Sequence, residues 1–135
     1  MKLGRAVRYS LTVMGHLASS QSNFVLCTNL ANKYDIPHES LHKILQQFTK
    51  IGVLKSKHGI SGGYALAKEP DEITLLEIVE TIEHSAYDPL DLPEKTSNKR
   101  WAVRMDRVVK KAISEYKKVL EEATLADMIS GLKER

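Results

Sequence analysis

A glycine-rich stretch, SKHGISGGY at residues 56–64, is the part of the chain whose composition is closest to that of a phosphate-binding loop. Glycine-rich loops often hold phosphates, so a nucleotide site is the first hypothesis. The P-loop pattern needs Gly-Lys-Ser/Thr between a strand and a helix, and the dinucleotide pattern needs G-x-G-x-x-G. Neither spacing occurs, and Tyr64 begins a segment typical of a strand. The stretch therefore predicts a hairpin tip whose three glycines adopt positive φ.

Few other side chains have the spacing that catalysis requires. No nucleophile lies beside a base, and no paired carboxylates on one element face a positive partner, so we expect no enzyme. His84 with Asp88 and Asp91 could form a metal or effector site, although loop polar groups are the favoured interpretation. The single cysteine, Cys27, excludes an intrachain disulfide. Cys27 could be redox-active near a helix N-terminus, but a buried small hydrophobic side chain is favoured.

The composition is that of a globular protein with a core of its own. The 135 residues favour one domain, and contents of 42% hydrophobic and 27% charged residues are ordinary for such a domain. No apolar run is long enough to span a bilayer. The N-terminal segment is interrupted by Arg5 and Arg8 and lacks a small-residue cleavage site, which predicts an amphipathic helix rather than a signal peptide. We therefore expect a cytoplasmic protein without a membrane partner.

Positive charge is concentrated in the first half of the chain. Residues 1–68 contain 9 Lys and Arg against 2 Asp and Glu, a net charge of +7. Residues 69–135 contain 11 Lys and Arg against 15 Asp and Glu, a net charge of −4, which leaves +3 for the whole chain. A basic half is typical of a module that binds a polyanion, although a solvated basic face would give the same count.

Apolar spacing predicts three helices before the glycine-rich stretch. Residues 3–18 repeat apolar side chains at helical intervals, and a short second helix begins near Cys27. Asp35 tolerates the left-handed backbone that a turn needs, and Pro37 suits the first position of a third helix. That helix ends at Gly52, where a C-terminal cap is expected. The second and third helices, joined by a tight turn, form a helix-turn-helix candidate.

Two short strands, at residues 53–57 and 64–67, flank the glycines and complete a winged helix. In this fold the third helix can enter a major groove, which is wide enough to admit it, while the hairpin lies beside it as a wing. Lys57 and His58 lie near the wing tip. The glycine-rich stretch is therefore expected to meet the phosphates of DNA rather than those of a bound nucleotide.

The second half of the chain predicts further helices. A capping box at residues 74–77 starts a helix that runs to about His84. A long helix over about 97–123 and a short last helix after Thr124 follow. The apolar residues of the long helix recur every three or four positions, which favours a helix-packing seam between two chains over a ligand pocket between them. The seam consists of Trp101, Met105, Val108, Ala112, Tyr116 and Val119.

Taken together, these motifs resemble a known family. The stretches GRAVRYSLTVMGHLA at residues 4–18 and LANKYDIPHESLHKILQQFTKIGVLKSKHGISGGYALAKEPDEITLLEIVETIE at residues 30–83 look like the Rrf2 type of bacterial winged-helix transcription regulator. The G-x-x-G-G-Y-x-L wing followed by P-x-E-I-T-L-L is the most specific part. The resemblance covers roughly residues 1–84 by motif. It implies a homodimer held by the long helix, with two recognition helices and two wings, and we expect its operator to be an inverted repeat.

The resemblance also assigns DNA contacts by position. It places the recognition helix at residues 37–51, and the wing at 57–63 on the backbone or minor groove. Arg8-Tyr9 matches an Arg-Tyr pair near the start of the family's first helix. Many members have Tyr-Leu-Glu at residues 40–42 and Arg at residue 58, so the operator sequence is expected to differ. The expected contacts are Arg8, Thr28, His38, Glu39, Ser40, His42, Lys43, Lys57, His58 and Ser61.

The sensor loop departs from the family pattern. Cluster-binding members carry three cysteines before the long helix, whereas residues 84–100 contain none, so we expect no iron–sulfur cluster and no other cofactor. His38, His42 and His58 could form a metal site, but the spacing of the three matches no standard ligand pattern. Contact with DNA or solvent is the favoured interpretation of these histidines.

The favoured hypothesis is a dimeric, sequence-specific DNA-binding transcription regulator that acts as a repressor. The alternative is a protein-interaction module that regulates a partner without binding DNA itself. We expect a winged-helix domain over residues 1–84, a linker over 85–96, and a dimerisation helix with a short C-terminal helix over 97–135. The expected partners are double-stranded DNA, a second copy of the chain, and an unidentified small-molecule or protein effector.

Overall fold

The described part of the chain is mainly helical, with one two-stranded hairpin. The computed structural model describes residues 3–20, 23–83 and 94–131. The elements are α1 (Arg5–Ser19), α2 (Cys27–Tyr34), α3 (His38–Lys50), β1 (Leu54–Lys57), β2 (Gly63–Leu66), a 3-10 turn (Pro70–Glu72), α4 (Leu75–Glu83), α5 (Glu94–Ser97), α6 (Arg100–Glu122) and α7 (Leu125–Ile129). Three helices followed by an antiparallel hairpin confirm the predicted winged helix-turn-helix. Within the described residues, no helix has both the length and the apolar character that a membrane crossing requires.

The turn of the helix-turn-helix forms as its residue types predict. Asp35 ends α2 with φ 54° and ψ 48°, a left-handed conformation that aspartate tolerates better than most residues. The Ile36 N–H donates to the Ala31 carbonyl at 2.9 Å, and the Ile36 side chain is buried in the core. Pro37 lies immediately before α3 with φ −55°, so the helix begins at His38, one residue later than predicted.

Helix α3 is held against α1 by its apolar face. The side chains of Leu41, Ile44, Leu45 and Phe48 recur at helical spacing and are all buried. They pack with Val13, Met14 and Leu17 of α1 in one continuous core. Gly52, with φ 83°, follows the end of α3, as predicted for a C-terminal cap. Because the buried face is fully committed to the core, the orientation of the opposite face of α3 is fixed.

Strand β2 of the wing pairs with the segment before α2 as well as with β1. Val25 and Tyr64 exchange two backbone hydrogen bonds of 2.9 and 2.8 Å and form an isolated antiparallel bridge. The strands begin one residue later (β1) and one residue earlier (β2) than predicted. The Val25 bridge adds a third paired segment at this edge of the hairpin, which reduces the freedom of the wing relative to α2.

Two of the wing glycines are required for different reasons. Gly63 has φ 129°, and a Cβ atom there would overlap the Val25 carbonyl. Gly62 does not have positive φ, contrary to the prediction for all three glycines. Instead, the Lys57 carbonyl oxygen lies so close to Gly62 that a Cβ atom at this position would overlap it. The tight backbone approach within the wing, rather than dihedral freedom alone, therefore selects glycine at position 62.

Replacement of Gly63 by alanine is expected to destabilise the protein by about 1–3 kcal/mol, because the new Cβ forces a strained backbone and opens the Val25 bridge. Urea unfolding at fixed protein concentration measures this change. The matched control is Gly15→Ala inside α1, where nothing lies within 4 Å of the added Cβ. That control is expected to stabilise by about 0.5–1 kcal/mol. An unchanged unfolding midpoint for Gly63→Ala would show that the wing does not depend on Val25.

Helix α7 returns to the winged-helix core. The Leu125 N–H donates to the Ile73 carbonyl and the Leu75 N–H donates to the Ala123 carbonyl, both at 2.9 Å. Leu125 is 1% exposed and belongs to the same core as α1 and α3. The start of α4 is capped by Thr74, whose hydroxyl accepts from the Glu77 N–H at 3.0 Å. The two backbone hydrogen bonds therefore hold residues 73–75, which precede α6, against residues 123–125, which follow it.

Helix α6 begins later than predicted, at Arg100 rather than near residue 97. A separate short helix, α5, precedes it, and Lys99 lies between them in extended backbone with ψ 139°. Asn98, in the break between the two helices, is a residue type that favours turns and caps over helix interiors. Helix α6 contacts α4, and one side of α6 carries an inner stripe of side chains that are buried or half-buried. The inner stripe is Ala102, Val109, Ile113 and Leu120.

Candidate nucleic-acid interface

The face of α3 opposite the core is entirely polar. Glu39, Lys43, Gln46 and Lys50 recur at intervals of four, three and four residues, so they share one side of the helix, and all four are exposed. These side chains have the lengths and polar ends that reach base edges and phosphates in a major groove. The prediction from sequence included Glu39 and Lys43 but omitted Gln46 and Lys50. Their spacing from Glu39 is the signal that would have identified them.

One flank of α3 borders a groove against the start of α1. The groove has a volume of about 350 Å³ and is lined by Arg5, Ala6, Tyr9, Ser40, Lys43, Ile44 and Gln47. Arg5 and Lys43 place two positive charges on its two sides. A phosphate of a DNA strand that passes over α3 would find cations from both helices there. Arg5 was not predicted from sequence, although its position four residues before Tyr9 puts both on one face of α1.

The other predicted contact on α1, Arg8, is exposed but is not among the described residues that line this groove. Its backbone carbonyl accepts from the Thr12 hydroxyl at 2.8 Å. Thr28 is exposed in the first turn of α2. Backbone N–H groups in the first turn of a helix lack intrahelical partners and can bind a phosphate, which suits the predicted role of Thr28.

The basic side of the wing is organised by an aromatic ring. The Nζ atoms of Lys55 and Lys57 lie 5.8 and 5.7 Å from the centroid of the Phe24 ring. Alternate residues of a strand face the same side, so both lysines share one face of β1. Lys57 was predicted as a DNA contact, whereas Lys55 was missed even though its two-residue spacing from Lys57 indicates a shared face. The structure thus brings two cations together where sequence reasoning placed one.

The tip of the wing is fully accessible. His58 and Ser61, both predicted contacts, are exposed, and Ile60 between them is also completely exposed. An apolar side chain at such a tip can lie against the sugar edges of a minor groove, where architectural proteins use apolar wedges. Of the three histidines considered together as a metal site, His38 and His42 lie on α3 and His58 lies on the wing. No group of three His, Cys, Asp or Glu residues within the described ranges is arranged to hold a metal ion.

Cys27 lies at the beginning of α2, half-buried next to the wing. Burial raises the pKa of its thiol, and burial together with the neighbouring Cys27 raises the pKa of Tyr64. A raised thiol pKa lowers the thiolate fraction at neutral pH, and the thiolate is the reactive form. This environment favours the structural interpretation of Cys27 over the redox one. His84, Asp88 and Asp91 lie outside the described residues.

The outward side of α6 carries an apolar stripe whose side chains are exposed. Trp101, Met105, Val108 and Val119 are 52%, 54%, 68% and 66% exposed, and Ala112 between them is also exposed. These five residues are called the outer stripe below. Tyr116, which was predicted to belong with them, is half-buried because its position falls between the outer stripe and the inner stripe. Soluble proteins seldom leave a contiguous apolar surface of this kind uncovered.

Known transcriptional regulators are similar to this chain over nearly its whole length. The family described as "Rrf2: Iron-dependent Transcriptional regulator" covers residues 3–131. The HTH-type transcriptional regulator NsrR of Shouchella clausii is 31% identical over 136 residues, which cover 96% of this chain and 89% of that protein. A putative HTH-type transcriptional regulator of Aquifex aeolicus is 39% identical over 74 residues, about half of each chain. The solved structure of CymR, the global cysteine regulator of Bacillus subtilis, superposes with a TM-score of 0.73 at 26% identity and covers 98% of this chain and 99% of that one.

The word iron in the family description raises the question of whether this chain could hold an iron–sulfur cluster. Protein clusters are bound chiefly by cysteine thiolates, usually four, with histidine replacing two in one class. The sequence has one cysteine, and that thiol is half-buried beside Tyr64 with a raised pKa. The donor set of a single chain therefore does not fit a thiolate-bound cluster.

The fold, the polar face of α3 and the sequence comparisons agree with one another. A helix-turn-helix with a glycine-tipped wing presents basic side chains from α1, α3 and β1, and a long helix follows. The match to the family extends over nearly the whole chain rather than over the helix-turn-helix alone. The relatives are transcriptional regulators and not enzymes. The chain therefore belongs to the Rrf2 family of transcriptional regulators.

Proposed function

We propose that the protein is a dimeric, sequence-specific DNA-binding repressor. The observation that carries the proposal is the exposed polar face of α3, bordered by the Arg5–Lys43 groove on one flank and accompanied by the Lys55–Lys57 wing. Side chains of α3 would read base edges in the major groove. Arg5 and the wing lysines would bind phosphates, which position the protein without sequence preference.

Dimerisation is proposed through the outer stripe of α6. Two copies related by a two-fold axis would cover each other's Trp101, Met105 and Val108. The same axis would present two α3 helices to one side of DNA, a turn of the double helix or a multiple of it apart. An operator recognised in this way is an inverted repeat. The described elements would then comprise a core, a DNA face and a dimer face. A dimer bound at the operator would repress transcription by occupying that site.

A regulator of this type acts where the chromosome is, so we propose a cytoplasmic location.

The salt dependence of DNA binding tests the proposed function. Arg5, Lys55 and Lys57 from each of two protomers supply about six phosphate contacts, which corresponds to a loss of on the order of 10³-fold in affinity between 50 and 200 mM salt. Fluorescence anisotropy with genomic fragments measures this slope. Absence of binding to every fragment would instead favour a module that regulates a partner protein.

Charge reversal at the wing is expected to weaken binding to all DNA sequences equally. Lys57→Glu removes one phosphate contact in each protomer, which reduces the log–log salt slope by about 1.8. Lys43→Ala on α3, by contrast, is expected to change the order of preference among operator variants in addition to the affinity. Lys118→Glu on the exposed side of α6 has the same charge change away from the DNA face and serves as the control. An equal loss of affinity in Lys57→Glu and Lys118→Glu would contradict the placement of the wing on DNA.

A further inference from the structure

Two histidines of α3 lie one above the other on the surface of the helix. The rings of His38 and His42 are stacked, with centroids 6.2 Å apart and planes at 8° to each other. Residues four apart in a helix lie on the same face about one turn apart, so this proximity follows from the sequence spacing. Both side chains are exposed and project from the N-terminal half of the helix. Neither ring packs into the core, so both retain freedom to rotate.

The spacing is that of a metal-binding pair. Residues 38–42 have the sequence HESLH, and histidines at positions i and i+4 of H-E-x-x-H bind a metal ion from one helix face. From the sequence, His38, His42 and His58 were considered as one set and the pair was missed, because His58 lies on the wing and does not belong to it. Imidazole nitrogen is a preferred ligand of Zn²⁺, Cu²⁺ and Ni²⁺. No third His, Cys, Asp or Glu among the described residues completes the group, so water would fill the other positions.

The geometry requires only side-chain rotation. Two nitrogen ligands at about 2.0–2.1 Å from one ion lie no more than about 4.2 Å apart. The nitrogen lone pairs lie in the ring planes and do not converge while the rings are stacked, so both exposed rings must rotate about their side-chain bonds to bring one nitrogen of each toward a common point. Glu39, an exposed carboxylate, lies four residues before Lys43 and on the same side of α3. In metalloproteases the equivalent glutamate acts as a base beside a third ligand, and with only two ligands here the pair supports binding rather than hydrolysis.

We propose that His38 and His42 form an exposed two-imidazole site for a first-row transition metal ion, and that occupancy of this site competes with DNA. The competition rests on the proposed function, since the ion and its waters would project from the helix that enters the major groove. A ligand that binds only the DNA-free protein lowers the apparent DNA affinity by a factor of one plus its concentration over its Kd. The metal site itself is independent of DNA binding.

The site is tested with metal alone and untagged, DNA-free protein. CuSO₄ titration by calorimetry is expected to give one ion per chain, and electron paramagnetic resonance is expected to show two imidazole nitrogens on it. The sharpest variant combines His42→Lys with Lys43→His, which keeps composition and charge but moves one imidazole to the wrong face of α3. Loss of a second-sphere partner alone costs 10–100-fold in metal affinity, so loss of a ligand is expected to cost at least about tenfold.

The control is His58→Gln, which removes a histidine outside the pair and is expected to leave copper binding unchanged. Circular dichroism of each variant confirms that α3 remains helical. Copper binding of the exchanged variant at the wild-type affinity would overturn the site, and so would equal losses in the exchanged variant and in His58→Gln. Either result would show that the ion is bound elsewhere.

The competition is tested separately, with DNA affinity measured first without metal and then across a ZnSO₄ series. Wild-type affinity is expected to fall in proportion to zinc once its concentration exceeds the Kd of the site. His38→Gln is expected to show no such fall in whatever DNA affinity it retains. Zinc binding without any effect on DNA affinity would overturn the competition. No DNA binding in the absence of metal would overturn the proposed function instead, and the copper titration would still decide the site.

Discussion

Val108→Asp is expected to convert the proposed dimer to a monomer and to abolish operator binding. Val108 is 68% exposed and is the third of the five residues of the outer stripe, so in a dimer it would lie near the centre of the interface. A two-fold axis places two aspartates in that interface, and the desolvation of each charge costs several kcal/mol. Specific DNA affinity typically exceeds non-specific affinity by at least about 10³-fold, and a monomer that holds only one half-site is expected to lose most of this advantage.

The measurement is light scattering at micromolar concentration, followed by anisotropy with an operator fragment. The matched control is Val103→Asp, the same substitution on α6 at a 46% exposed valine that lies outside both stripes. That control is expected to remain dimeric. Because Val108 makes no contribution to the buried core, the circular dichroism of Val108→Asp should match that of the wild type. A wild-type protein that is monomeric at this concentration would contradict the proposed dimer.

Leu125→Ala is expected to destabilise the whole winged helix by about 2–5 kcal/mol, the usual cost of removing a leucine side chain from a packed core. Leu125 is 1% exposed and lies in one core with residues of α1, α3 and α4. Its N–H also anchors the chain to Ile73. A change of this size is a large fraction of the 5–15 kcal/mol that typically stabilises a domain. Urea unfolding followed by circular dichroism measures it.

The control for this prediction lies on the same helix. Met128 is 46% exposed, and Met128→Ala is expected to change stability by no more than about 0.5 kcal/mol. All variants should be compared at one protein concentration, since stability of a dimer depends on it. If Leu125→Ala instead lowered dimer affinity without lowering the unfolding free energy, α7 would belong to the dimer contact and not to the winged-helix core.

The local features of the fold could be predicted because each depends on a few consecutive residues. Asp35 adopts the left-handed turn and Gly52 follows the end of α3, and both positions were predicted from residue type alone. The start of α4 was predicted from Thr74 and Glu77, and one of the two capping bonds is present. The Glu77 carboxylate is 3.3 Å from Lys68, a contact that sequence spacing did not indicate.

The expected DNA contacts were assigned by position from the family resemblance and remain predictions, whereas the side of an element on which a residue lies follows from its neighbours in sequence. Glu39 and Lys43 follow from the helical period of α3 once its apolar side is known. The place of Arg5 in the groove could not be assigned in this way, because it depends on how α1 and α3 pack rather than on the segment that contains Arg5. The same reason explains the wing: alternation gives the shared face of Lys55 and Lys57, whereas only the tertiary structure brings Phe24 beneath them.

The sequence by itself determined that α6 is an amphipathic helix, since periodicity depends on the chain alone. It did not determine which apolar side meets the protein's own core. In the structure Val109 and Ile113 are half-buried, whereas Val108 is 68% exposed. The return of Leu125 to Ile73 and the pairing of Val25 with Tyr64 are likewise tertiary outcomes. Each joins residues distant along the chain, and packing between such residues is decided by the shape and free energy of the whole core rather than by any local pattern.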